Sequence, residues 1–196
     1  IWNELQRQLD ARGLAVKKGV MQDATFITAD PGRANPSAPR GDEAQTRRNK
    51  EGTWVKKGGK SYYGYKLHSK VDRDYQLIRA IETTPSSVHD SQVDLSLPGE
   101  VVYRDSGYFG RPCNGYGATM QRGVRDHPIG IRDQLRNARI SKKRTPVERH
   151  YAVIKTQYGS GHVRVTTLAR TRVKNTFACF GFNLDQLATL RRQGVA

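Results

Sequence analysis

A chain of 196 residues can bury a hydrophobic core of its own, and a single domain spanning residues 1–196 is the expected organisation. Its 34 lysines and arginines against 18 aspartates and glutamates give a formal net charge of +16, a field that favours polyanions such as DNA or RNA. No apolar run approaches the ~20 residues of a membrane-spanning helix, no signal peptide opens the chain, and Cys113 and Cys179 lack the spacing of a zinc site or disulfide framework, so a reducing cytoplasm, at the nucleoid, fits best.

Taken in chain order, Trp2, Leu5 and Leu9 recur at helical spacing before Gly13. A chain that opens inside a helix is expected to follow an upstream domain, missing here or separately encoded. Residues 14–29 read as a strand with Met21, Asp23, Thr25 and Ile27 on one face. Residues 30–60, rich in Pro, Gly, Asn and charge, read as a long basic loop that orders on DNA. A hairpin follows: Tyr63, Tyr65, Leu67 and Val71 alternate with Tyr62, Lys66, His68 and Lys70, Asp72-Arg73-Asp74 turns, and residues 76–84 return. A short helix is expected at 89–95, a strand at 100–105 broken by Ser106-Gly107, and another near 117–124 within a weakly patterned stretch, 110–143. Thr145 suits an N-cap and Pro146 the first helical position, with Gly159 closing that helix. A last helix over 166–192 is expected to bury Val173, Phe177, Phe180, Leu184 and Leu187.

Three acids stand out against this basic background. Asp23 and Asp105 lie in or at the end of apolar, β-prone runs, where a carboxylate is costly to bury without positive charge beside it. Glu148 opens a helix among dense positive charge. Each has a structural alternative. Thr145-x-x-Glu148 is a capping box, so Glu148 can simply cap its helix. Asp105 can be a plain turn residue before Gly107. Asp23 is harder to dismiss, because it faces the same way as Met21 and Ile27.

The motifs Asp23-Ala24-Thr25, Gly64-Tyr65-Lys66-Leu67-His68, Val88-His89-Asp90-Ser91, Tyr103-Arg104-Asp105-Ser106-Gly107-Tyr108 and Arg144-x3-Glu148-x6-Lys155 occur in this order over nearly the whole chain. Together they resemble the catalytic domain of DDE-type insertion-sequence transposases. The resemblance implies an α/β, RNase H-like fold, a mixed β-sheet flanked by helices. It implies that Asp23, Asp105 and Glu148 are a catalytic triad binding two Mg²⁺ (or Mn²⁺) ions. It also implies metal-dependent cleavage at element ends, then attack of the freed 3′-OH on target DNA. Ser141 stands where the family signature has a tyrosine, which leaves the acids intact and puts substrate contacts there in doubt. The partners implied are DNA and a second copy of the chain, as a homodimer or higher oligomer on DNA, with an upstream DNA-reading domain. An RNase H-like nuclease without strand transfer, or a catalytically silent nucleic-acid-binding remnant, is the alternative reading.

The chemistry suits these residue types. Mg²⁺ is a hard ion that takes oxygen ligands, and paired ions neutralise charge at a phosphoryl group undergoing displacement. Lys142, Lys143, Arg144, Arg149 and Lys155 surround Glu148 and read either as a solvated face or as one wall of a nucleic-acid groove. Arg144 and Lys155 have no acidic neighbour on their helix other than Glu148, so both are expected on backbone phosphates. Arg47, Arg48, Lys56 and Lys57 with Trp54 form a second candidate DNA-binding cluster. Lys66 and His68 share a hairpin face that is either a solvated edge or a phosphate-facing strip. His89 and Asp90 either start a helix or stand beside the metal site. Cys113 and Cys179 are expected to be inert.

Overall fold

The computed structural model of the chain describes residues 1–32 and 49–195. Helix α1 (Trp2–Ala11) buries Leu5 and Leu9 against Leu14, Leu77, Leu187 and Leu190, as its spacing requires. Strand β1 (Val20–Ala29) is shorter than expected from sequence. Residues 14–19 instead make a loop ending at Gly19, where φ is +93° and a Cβ would stand 2.5 Å from the Val101 carbonyl oxygen.

β1 is the centre of the sheet. The long strand β3 (Lys60–Asp72), which follows β2 (Thr53–Lys57), runs antiparallel to β1 from Val20↔Asp72 to Thr28↔Gly64. After the predicted turn, β4 (Ile78–Pro85) returns along β3. On the other side of β1, β5 (Val101–Arg104) lies parallel, and β6 (Tyr116–Thr119) lies parallel beyond it. The central order is thus β4-β3-β1-β5-β6, the heart of a 7-stranded mixed sheet flanked by helices and consistent with the RNase H-like fold. Met21 and Ile27 share a core with Leu67 and with Val71 and Tyr65, their respective partners in register on β3.

Several elements depart from the sequence reading. Residues 53–57, assigned to the long loop, form β2, because Gly58 and Gly59 at positive φ close a tight hairpin onto β3. The expectations for residues 33–48, including Arg47 and Arg48, lie outside the described residues. The weakly patterned stretch contains helix α2 (Ile131–Arg144), which buries only Ile140 and therefore carries no apolar stripe for a sequence reading to find. The helix expected at 89–95 is a single 3-10 turn over Asp90–Gln92, started by a capping box around His89.

Helix α3 (Pro146–Thr156) begins one residue after α2 ends. Thr145 is itself helical at φ −44°, and its hydroxyl donates to the Ser141 carbonyl at 3.3 Å. It does not cap α3, so the capping-box role open to Glu148 is not taken up. After the short strand β7 (His162–Val163), which pairs with the end of β1, helix α4 (Leu168–Arg192) crosses the sheet.

The face that α4 buries is not the one predicted. Val173, Phe177 and Leu184 are 56%, 61% and 46% exposed, while Thr171, Asn175, Ala178, Cys179, Phe182 and Asn183 are covered, together with Leu187. The reason is the unpaired edge of β4, which polar side chains of α4 satisfy. Asn183 accepts from the Ile78 N–H and donates to the Ile78 carbonyl, both at 2.8 Å, and Asn175 donates to Thr83 Oγ1 at 3.0 Å. No helix among the described residues is long and apolar enough to cross a membrane.

Candidate active site

Parallel pairing sets the position of the first two acids. Met21 stands opposite Tyr103, so two residues further on Asp23, still within β1, and Asp105, just past the end of β5, stand side by side. This is the carboxyl end of the parallel pair, where α/β folds place their ligands. Asp23 Oδ1 accepts from the Ala24 N–H at 2.8 Å, and Oδ2 pairs with Arg144 Nη2 at 3.0 Å. Burial raises the Asp23 pKa to about 6; the Arg144 guanidinium and the Ala24 N–H oppose the rise, and the Asp105 and Asp90 carboxylates add to it.

Asp105 fulfils its structural alternative as well, since Oδ1 accepts from the Gly107 N–H at 2.8 Å and starts a 3-10 turn over Ser106–Tyr108. Arg104, almost wholly buried, fixes that turn. Its guanidinium donates to Thr119 Oγ1 at 3.0 Å and to the Arg111 carbonyl at 2.9 Å. Tyr108 lies buried beneath, its pKa raised by burial and then by Asp23 and Asp90.

Helix α3 is fastened to β1 at Asp23 itself. Tyr151 Oη donates to the Asp23 carbonyl at 2.6 Å and accepts from Ser69 Oγ at 2.7 Å. Ser69 Oγ lies 2.8 Å from His150 Nε2, and burial lowers the His150 pKa to about 3. The ring is therefore neutral, and because the Ser69 proton goes to Tyr151, Nε2–H is the donor in that contact. Val147, Tyr151 and Ile154 face the core as their spacing predicts. Glu148 sits one turn before Tyr151 with its carboxylate exposed. Ser69, His150 and Tyr151 were not singled out from sequence, because no local pattern marks a hydrogen-bond network assembled from separate elements.

Among the described residues, no three His, Cys, Asp or Glu side chains converge closely enough to hold a metal ion. The donor chemistry nevertheless fits a hard divalent cation. Asp23 and Asp105 offer carboxylate oxygens, and burial with mutual repulsion leaves Asp23 short of positive charge, a deficit that Arg144 fills only in part.

The candidate DNA contacts divide by burial. Lys66 and His68 are 6% and 0% exposed, so their face is neither a solvated edge nor an open strip. Lys66 Nζ pairs with Asp90 at 2.8 Å, and His68 Nε2 lies 2.9 Å from Thr84 Oγ1. Arg144, expected on backbone phosphates, pairs here with Asp23, an acid distant in the chain. His89 is exposed and caps its own turn, while Asp90 acts on Asp23 electrostatically.

Trp54 is 59% exposed on β2, Lys56 is exposed beside it, and Lys57 Nζ lies 5.4 Å from the Phe26 ring. Lys142 and Arg149 are exposed, whereas Lys143 Nζ stands 4.9 Å from the Tyr103 ring. Lys155, His162, Arg164 and Lys174 line one groove of about 640 Å³. Burial, then the neighbouring Lys57, lowers the Lys155 pKa. Arg164, Lys174 and His162 were missed from sequence, as isolated basic side chains give no signal until β7 and α4 bring them to Lys155.

Residues 15–184 match the Transposase DDE domain family. The chain is similar to a transposase for insertion sequence element IS1106 from Neisseria meningitidis serogroup B, 25% identical over 204 residues, covering 94% of this chain and 70% of that protein. No solved structure matches the chain.

Proposed function

The chain belongs to the Transposase DDE domain family, and from that premise we propose that it is the catalytic domain of an insertion-sequence transposase, cutting DNA at element ends and joining the freed 3′-OH to target DNA. Family membership supports a transposase function. The observation that carries the finer reading is the placing of Asp23 and Asp105 side by side at the open end of the β1–β5 pair, with Arg144 between Asp23 and the α2–α3 junction.

In this reading Asp23 and Asp105, with Glu148 from α3, would hold a divalent metal, which when bound would supply positive charge to the phosphoryl group. The protein's own residues position the DNA. Lys155, Arg164 and Lys174 bind backbone phosphates along the groove, fixing register without reading bases. Lys56, Lys57, Lys142 and Arg149 extend the same basic surface, and Trp54 offers an exposed ring for stacking. Tyr151 fastens α3, the helix that carries Glu148, to the Asp23 carbonyl. Assembly as a homodimer on DNA and reliance on an upstream DNA-reading domain belong to the same proposal.

A strand-transfer assay with pre-cleaved element ends, target plasmid and Mg²⁺ tests it. Joined products are expected, and Asp23→Asn should abolish them while leaving DNA binding intact. Cleavage without joining would make the protein a nuclease on this fold, and binding without either reaction a silent remnant.

A further inference from the structure

Resting on the function proposed above, we infer that Arg144 is a positioning residue that holds Asp23 while the site lacks metal, competes with the metal for that carboxylate, and passes to a DNA phosphate when displaced. The contact is direct: Nη2 lies 3.0 Å from Asp23 Oδ2, with the two side chains only 13% and 21% exposed. Asp23 Oδ1 is already engaged by the Ala24 N–H, so Arg144 occupies the oxygen left for a cation.

An enclosed arginine–carboxylate pair is tolerable only while each charge has its partner. A cation arriving at Oδ2 therefore obliges the guanidinium to find another anion. Arg144 is equipped to do so, because its Nε is buried and has no acceptor among the described residues. Buried donors rarely lack an acceptor. A guanidinium with one N–H spare and another released by Asp23 can present two parallel donors, the geometry that phosphate oxygens accept. The position of Arg144 at the C-terminal end of α2 favours a cation there before DNA arrives.

Calorimetric titration of the whole chain with MgCl2 at about pH 8, where an Asp carboxyl is ionised, provides the test. Arg144→Gln and Arg144→Met should bind Mg²⁺ about tenfold more tightly than the natural chain, since an adjacent opposite charge commonly shifts a carboxylate's cation affinity by at least that factor. Arg144→Lys, which keeps the charge, should stay near the natural affinity, and Asp23→Asn should show no binding. Equal or weaker binding by the neutral variants, with Asp23→Asn still silent, overturns the role of Arg144 and leaves the metal site standing. Undiminished binding by Asp23→Asn overturns the functional reading itself. A second measurement needs no variant: the Arg144 guanidinium ¹H–¹⁵N resonance should leave its ion-paired position on saturation with Mg²⁺, and an unmoved resonance in the metal-loaded protein refutes the competition.

Discussion

Asp23→Asn tests the electrostatics of the site through stability alone. Asp23 holds its proton more tightly in the folded chain, with a pKa raised from 3.8 to about 6, mainly by burial. The folded state therefore binds more protons than the unfolded state across that interval, and stability falls as pH rises through it. Each unit is worth about 1.4 kcal/mol, so ionising Asp23 costs the fold about 3 kcal/mol once the pH exceeds the raised value. Asparagine carries no such cost. The pairing with Arg144 acts on the ionised carboxylate and is already counted in the raised value, while in the variant Arg144 faces a neutral amide at every pH, a constant offset. In EDTA, the stability of Asp23→Asn minus that of the natural chain should rise by about 3 kcal/mol between about pH 4 and pH 7. In a chain of this size that is a change of roughly 6–12 °C in the difference between melting temperatures. Urea unfolding followed by tryptophan fluorescence at half-unit pH steps measures it, and other carboxylates cancel in the difference. Parallel profiles for the two proteins would refute the reasoning. Adding Mg²⁺ at neutral pH should then stabilise the natural chain and not the variant.

Tyr151→Phe removes the phenol donor to the Asp23 carbonyl and the acceptor of the Ser69 hydroxyl proton, and should cost about 1–3 kcal/mol in urea unfolding with the m-value unchanged. Gly64→Ala should cost more than about 3 kcal/mol, seen as loss of folded protein, because φ is +146° and a Cβ would overlap the Ile27 carbonyl of the paired strand. Lys155→Ala and Lys174→Ala should each lower the slope of log Kd for duplex DNA against log salt by ~0.9, equally for element-end and random sequences. An unchanged slope would place that side of the groove off the DNA path.

The sequence alone determined those features whose signal is local. Alternation of apolar residues fixed β1, β3 and β4, since a slip of one residue would turn Met21, Ile27, Leu67 and Val71 out of the core. Ordered motifs placed the family and with it the sheet architecture. Only the tertiary structure decided the rest, because each remaining feature depends on a partner distant in the chain. α2 buries a single apolar residue, so its helicity left no stripe to read. α4 carries apolar residues on more than one face, and the edge of β4 chose the polar one by hydrogen bonding to Asn175 and Asn183. Lys66 and His68 look like a surface strip until β4 and the turn bearing Asp90 cover them. Arg144 shows no acidic partner within its helix, and Asp23 becomes that partner only because β1 ends its pairing with β5 beneath the α2–α3 junction. A sequence records which charges are present; which of them neutralise one another in a medium of low dielectric is settled by packing.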